Sequence, residues 1–381
     1  MNKKAVFGLT SILIMVAIIA VNRPDIEDNN QTIRIGGISA RTGVGAPIGD
    51  EEYKGALLAV EEINKNGGID GRKIEFVSED LSIDRLKDAG SVANKLVNID
   101  KVLGIIGPQW DEPAMAILPI TEEAKVSVIG PDTSDTIENN EVGEYLFSTW
   151  YDNRAGIDVI LKHAESQGIK RMVIIRAIDA GFWKFVSDDF SNKAEQYGIE
   201  IVDDITLGNA FTTDFRTTII KIKEKNPDAV FSVTTDPVQC PLFKQFNELG
   251  FDKPVFATEA AGNQASLGQC PGVLENLYFS TPINENKKFS DFELAFEKRF
   301  GSKPAFPSAV TAYDAVYVLA NALEKTNGEG GEALQKALSE TKGLEGASQP
   351  ILTFKENGFV ETPVDIFQMR TVRNGEFVPV E

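Results

Sequence analysis

Apolar positions along the chain fall into two alternating rhythms. The run "TIRIGGIS", residues 32–39, is short and apolar, as a buried strand is, and beyond residue 51 Tyr53, Leu57, Val60 and Ile63 recur every three or four positions along one helix face. Gly67 and Gly68 follow, residues suited to closing a helix in a left-handed cap. The pattern then repeats as strand "KIEFV", helix 84–97, strand "VLGIIG", helix 112–124 and strand "VSVIGP". Strands separated by helix-length segments need crossover connections, so this run predicts a parallel sheet covered by helices on both faces.

The stretch "FSTWYDNRAG" has no strong period, and the alternation then restarts. "RMVIIR", a helix over 182–196, "IEIVDDITL", a helix over 214–225, "DAVFSV", a helix through Phe243 and Leu249, and "PVFAT" predict a second parallel sheet. The tail carries helices near 291–300, 310–325 and 332–339, then short strands joined at Asn357-Gly358 and Asn374-Gly375, the dipeptide that hairpin turns favour. With 381 residues the chain is also longer than one hydrophobic core usually serves, so two α/β units in tandem are expected.

The first residues follow another pattern. Lys3 and Lys4 precede an apolar run, 5–21, broken only by Gly8, Thr10 and Ser11, and a polar segment, "NRPDIEDNNQ", comes next. That is the order of an export signal. Cleavage after Ala20 would call for a small residue where Ile18 stands, and no Cys follows to carry a lipid. Residues 1–31 are therefore expected to be either a signal peptide or an uncleaved anchor of about 25 Å, with a polar linker. In both cases the remainder works outside the cytoplasm.

Charge and rare residues narrow the function. The net charge is −19, with 38 Lys and Arg scattered among 57 Asp and Glu, so a phosphate backbone is repelled and nucleic acid is not an expected partner. His163 is the single histidine, which leaves little from which to build a His-based metal site or a Ser-His-acid triad. No catalytic, metal or cofactor site is expected. Cys240 and Cys270 are an even pair in an exported chain, either a disulfide or two buried thiols. The glycine-rich turn after the first strand, Gly43, Gly45 and Gly49, is one residue too long for a dinucleotide fingerprint and has Pro47 inside it. Asp50 and Glu51, at the expected helix start, would repel a phosphate.

The segment "TGVGAPIGDEEYKGALLAVEEINKNGGIDGRKIEFV" closely resembles the opening of the branched-chain amino acid (Leu/Ile/Val) binding proteins, type I periplasmic solute-binding proteins of ABC importers. Similar pieces follow in order: "VLGIIGPQWDEPAMAILPITEEAKVSVIGPDTS", "AFTTDFRTTIIKIKEKNPDAVF", "SAVTAYDAVYVLANALEK" and "KGLEGASQPILTFKENG". The resemblance implies an α/β fold of two Rossmann-like lobes with parallel sheets, joined by three hinge crossovers, that closes on a ligand like a Venus flytrap. One lobe would be 32–149 and 282–349, the other 150–281 and 350–381, with crossovers near "TWYDN", "STPIN" and "SQPIL". It further implies a monomer that hands a small polar solute to ABC permease subunits. A membrane-anchored sensor with the same fold is the alternative.

The resemblance also implies a ligand set at the carboxyl ends of the strands, with the glycine turn as cleft wall. Ser134 matches a hydroxyl that meets a ligand carboxylate, Asp132 and Thr133 would offer backbone groups, and Glu259 matches an acid that pairs with a ligand ammonium. Asp152 matches a crossover acid facing the cleft. This sequence departs from the family at Asp111, which stands where the family has a carboxylate-binding serine, and at Ala180 and Thr235 or Asp236, where it has aromatic residues. Trp110 and Phe182 are candidates to replace that aromatic wall. Asp111 either lines the pocket or serves only as a helix-start acid. If it lines the pocket, a cationic or amide-like solute fits better than an ordinary amino acid, because facing carboxylates repel. Tyr313 and Asp314, in an apolar-periodic helix, are expected to be core and surface.

Overall fold

The computed structural model describes residues 32–43, 45–134, 143–179, 181–208, 212–234, 238–262, 264–282 and 286–380. The leader, Ala180, Thr235 and Asp236 lie outside the described residues. Five parallel strands, β1 (Ile33–Ser39), β2 (Ile74–Asp80), β3 (Gly104–Ile106), β4 (Ser127–Gly130) and β5 (Leu146–Ser148), form one sheet in the order β2-β1-β3-β4-β5. Its helices are α1 (Ala46–Lys65), α2 (Ala89–Asn94) and α3 (Asp111–Glu123). β5 overlaps the start of the stretch that shows no period in the sequence, because its three residues are too few to display one.

The chain then enters α4 (Asn153–Ser166) and builds a second sheet from β6 (Arg171–Arg176), β7 (Glu200–Thr206), β8 (Ala229–Val233), β9 (Val255–Ala257) and β10 (Leu277–Pro282). Its other helices are α5 (Gly181–Ala194), α6 (Arg216–Glu224), α7 (Gln239–Glu248) and α8 (Gln264–Gln269). It returns to the first sheet as α9 (Lys287–Phe300), α10 (Ser308–Lys325), α11 (Gly331–Ser339) and the short pair β11 (Leu344–Glu345) and β12 (Ile351–Leu352). Finally β13 (Phe367–Arg373) and β14 (Glu376–Pro379) extend the second sheet, giving the order β14-β13-β10-β9-β8-β6-β7. That sheet is mixed rather than parallel throughout, since β13 pairs antiparallel with β10 and β14. The hairpin turns at Asn374 (φ 55°) and Gly375 (φ 77°), the left-handed pair such a turn requires.

The chain thus passes three times between the sheets. The third passage comes later than the "SQPIL" boundary the sequence suggests. Leu352, Phe354 and Val360 fill the first core beside Phe147 and Leu319, and Phe359 packs with Leu146 and Val128, so the chain leaves that core only after residue 360. The crossings are laced together. Asp152 N–H donates to Thr362 Oγ1 (2.9 Å), Tyr151 Oη to the Ser348 carbonyl (3.4 Å), and Asn286 Nδ2 to the Ala347 carbonyl (3.2 Å). Asp314 is buried rather than at the surface, and its carboxylate accepts from Ala347 N–H, Ser348 N–H and Ser348 Oγ. Burial pushes its proton affinity up to about 6, against the pull of those donors.

Helix α1 begins at Ala46, five residues before the apolar stripe becomes legible, with Gly45 at φ 88° ahead of it and Pro47 in its first turn, where no N–H is needed. Asp50 and Glu51 therefore sit inside the helix, and Gly49 belongs to it as well, pressed against the Ala40 backbone. The helix ends as expected: Gly67 and Gly68 have φ of 117° and 80°, and Gly68 N–H reaches back to the Ile63 carbonyl. α10 is buried along most of its length and packs beside α1 on the first sheet. Contact there is backbone to backbone, for a methyl at Gly55 would stand 1.9 Å from the Ala309 carbonyl oxygen. We expect Gly55→Ala to cost about 2–3 kcal/mol in urea unfolding. Gly90→Ala, whose methyl meets Ile120 at an ordinary 3.7 Å, should be neutral or slightly stabilising.

Candidate functional site

Three loops leave the carboxyl ends of β3, β4 and β9 and converge. The loop after β4 is held by its own carbonyls: Thr311 Oγ1 donates to the Pro131 carbonyl (2.6 Å) and Ser148 Oγ to the Thr133 carbonyl (2.7 Å). It therefore presents Asp132, Thr133 and Ser134 in a fixed attitude. Thr133 is fully buried, with Oγ1 accepting no hydrogen bond among the described residues.

The loop after β3 ends at Trp110, whose backbone takes φ 68°, a conformation a bulky residue adopts only under compulsion. One backbone bond holds it there: Trp110 N–H donates to the Asp132 carbonyl (3.1 Å). Asp111, the first residue of α3, turns toward the same loop. Ser134 N–H donates to its Oδ1 (2.8 Å) and Ser134 Oγ to its Oδ2 (2.6 Å). Asp111 thus serves the adjoining loop rather than only the start of its own helix.

From the second sheet, the loop after β9 supplies Glu259, opening a single helical turn over Glu259–Ala261. It is only 8% exposed, and its Oε2 accepts no hydrogen bond among the described residues. Burial raises its proton affinity to about 7. Asp132 is raised well above the usual carboxylate range, first by burial and then by the negative charges of Asp111 and Glu259. Glu259 therefore lies within electrostatic reach of Asp132 across the gap between the sheets. The N-termini of α3 and α5 also meet there, since a methyl on Gly181 would stand 3.1 Å from Glu112 Oε1.

Other expected site residues have different surroundings. Phe182, in the first turn of α5, packs edge-on against Trp183 and on the core beneath α5, at the rim of this gap. Asp152 caps α4 through Arg154 N–H (3.0 Å), and the Arg154 guanidinium engages both its oxygens (2.8 and 2.9 Å). Lys355 adds a second cation at 3.6 Å, so Asp152 is part of the crossover lacing and not of the acid group around Asp132. Cys240 and Cys270 form a disulfide with Cα atoms 5.9 Å apart, tying α7 to the end of α8 and closing a loop that contains Glu259. Among the described residues no group of His, Cys, Asp and Glu could hold a metal ion.

Sequence reasoning missed Glu52. It is 2% exposed, neither carboxylate oxygen accepts a hydrogen bond among the described residues, and burial followed by the charge of Asp132 raises its proton affinity strongly. It lines a small cavity with Ser39, Ser78, Gly107 and Pro131, behind the Asp132 loop. The signal was its register: Glu52, Ala56, Ala59 and Ile63 follow the helical period of the buried face of α1.

Geometry and comparison agree from here. The description "periplasmic binding protein" belongs to the family whose pattern matches residues 32–376. The chain is a member of that family. It is 27% identical over 310 residues to a leucine-, isoleucine-, valine-, threonine- and alanine-binding protein of Pseudomonas aeruginosa, covering 81% of this chain and 82% of that one. A leucine-specific-binding protein of Salmonella typhimurium is 25% identical, with 83% and 84% covered. Among solved structures, the substrate-binding protein LivJ of the branched-chain amino acid transporter of Streptococcus pneumoniae, in complex with isoleucine, superposes with a TM-score of 0.80 at 27% identity, covering 91% of this chain and 98% of that one. The fold is therefore the type I periplasmic binding protein fold of two α/β lobes.

The buried acids give this periplasmic binding protein a definite pH response. A carboxyl whose folded affinity for protons is about 7 against an ordinary 4.5 makes its contribution to stability below about pH 4.5 and loses it as pH rises through 7. For Glu259 the loss is about 3 kcal/mol by pH 8. Asp132 and Glu52 act in the same sense. Urea unfolding of the ligand-free protein should show stability falling between pH 5 and 8, with Glu259→Gln flattening the fall. A wild-type profile that rises over this window would contradict the environment described.

Proposed function

We propose that the protein is the solute receptor of an ABC importer, capturing a small polar molecule between its lobes outside the cytoplasm and delivering it to permease subunits. The observation that carries this reading is that Asp132, from the first sheet, and Glu259, from the second, lie within electrostatic reach of each other, each at the carboxyl end of a parallel strand. That is where open α/β sheets bind their ligands. Trp110 and Phe182 supply apolar walls, and the Asp132–Ser134 loop and Glu259 supply the polar contacts.

No bond is made or broken in this function. A solute touched by groups of both lobes binds the closed arrangement better than the open one, so the population shifts toward closure by that difference in affinity. The permease then distinguishes loaded from empty protein by shape. The three laced crossings limit the motion to a hinge, because Asp314 and Tyr151 clamp residues 347–348 while α10 stays packed on α1. The protein acts as a monomer, each chain carrying both halves of its own site.

Small-angle scattering tests this directly. Titrating the purified protein with a library of amino acids, amides and amines should produce a saturable fall in radius of gyration with at least one compound. Ala substitution of Glu259 should shift that titration by tenfold or more while leaving the ligand-free radius unchanged. Absence of compaction with every compound, at concentrations up to millimolar, would remove solute capture as the function.

A further inference from the structure

We propose that the solute is an organic cation with no carboxylate of its own, an amine, diamine or guanidinium compound seated between Asp132 and Glu259. This deepens the receptor reading above and rests on it. Two independent observations support it: the anion-binding donors of Ser134 are already filled, and the acids beyond them have no cation acting on them.

Ser134 presents a backbone N–H and a hydroxyl side by side, the fork that a carboxylate accepts with both oxygens. Both donors are taken by Asp111, one to each of its oxygens, at 2.8 and 2.6 Å. A solute carboxylate arriving there would have to displace a fixed carboxylate and then lie beside its charge. The protein thus carries its own anion where a zwitterionic solute would place one.

The acids deeper in the gap are the reverse case. Glu259 is more than nine-tenths buried, and its Oε2 has no hydrogen-bond partner among the described residues. The groups whose charge raises Asp132 are the Asp111 and Glu259 carboxyls, both acidic like itself, and the group that raises Glu52 is Asp132. Buried carboxyls without cations hold protons instead, as the raised affinities of Glu259 and Asp132 express. A bound cation would replace those protons, and the Trp110 ring would offer its face to it.

Calorimetry with putrescine, agmatine, n-butylamine, leucine and isoleucine distinguishes the outcomes. The wild-type protein should bind at least one of the three cations ten times or more tightly than either amino acid. Binding at pH 7 should release protons, seen as a dependence of the heat on buffer ionisation enthalpy, and the cation affinity should rise between pH 6 and 8. Asp111→Ser should move the preference toward leucine and isoleucine by tenfold or more, and the isosteric Asp111→Asn should weaken the cation without altering the thermal transition by more than a few degrees. Wild-type protein that compacts on leucine or on a neutral amide but ignores the cations would overturn this inference and leave the receptor reading standing. Binding of none of the five compounds, together with no compaction in the scattering library, would remove both. A cation preference that Asp111→Ser and Asp111→Asn leave untouched would overturn the role given to Asp111.

Discussion

One contact organises the site, the pairing of the Asp111 carboxylate with the N–H and hydroxyl of Ser134. It ties the first residue of α3 to the loop leaving β4, and with α3 so placed, Trp110 must take a left-handed backbone to connect it to β3. The strain is countered by the bond from Trp110 N–H to the Asp132 carbonyl. Asp132 is in turn fixed facing the second sheet, where Glu259 lies. Remove the first pairing and the orientation of each later group loses its reason. The loop is also secured from behind, through Pro131 and Thr133 carbonyls, so the pairing acts on a rigid frame.

Much of the fold was legible because its signals are local and repeated. Alternating strand and helix periods predicted the βα order, Gly67 and Gly68 the end of α1, and Asn374-Gly375 the last hairpin. What escaped depends on contacts across the chain. The start of α1 was read five residues late because Pro47 and the glycines resemble a loop, whereas Pro fits the first turn and Gly49 is needed where the helix touches Ala40. The third crossing was read early because nothing local tells a strand that ends one lobe from one that begins the next. It is the packing of Phe354 and Val360 that decides.

The acids divide along the same line. Ser134 and Glu259 could be picked out by resemblance, and the structure brings their loops together. Asp152 could be picked out too, yet Arg154 and Lys355 surround it, and neither pairing is visible without the fold. Glu52 goes unread and Asp314 is read as surface for one reason: each is an acid on the buried stripe of a long helix, and a stripe is usually read from its apolar members alone. The two differ in partners. Asp314 has three donors from the 347–348 turn and belongs to the hinge lacing. Glu52 accepts no hydrogen bond among the described residues and stands behind the site, so the binding gap has a second layer of acid.

That second layer bears on how a closed receptor could let go. Carboxyls out of water keep protons, and a neutral gap can close without repulsion between the lobes. If the solute is the cation proposed above, it would exchange with protons and leave ionised acids whose attraction for it is strong only while water is excluded. Opening of the hinge would then admit water between Asp132 and Glu259, which belong to different sheets. The attraction then falls on both sides of the solute at once. Grip and release follow from the same geometry, and no separate ejecting device is needed once the hinge is opened.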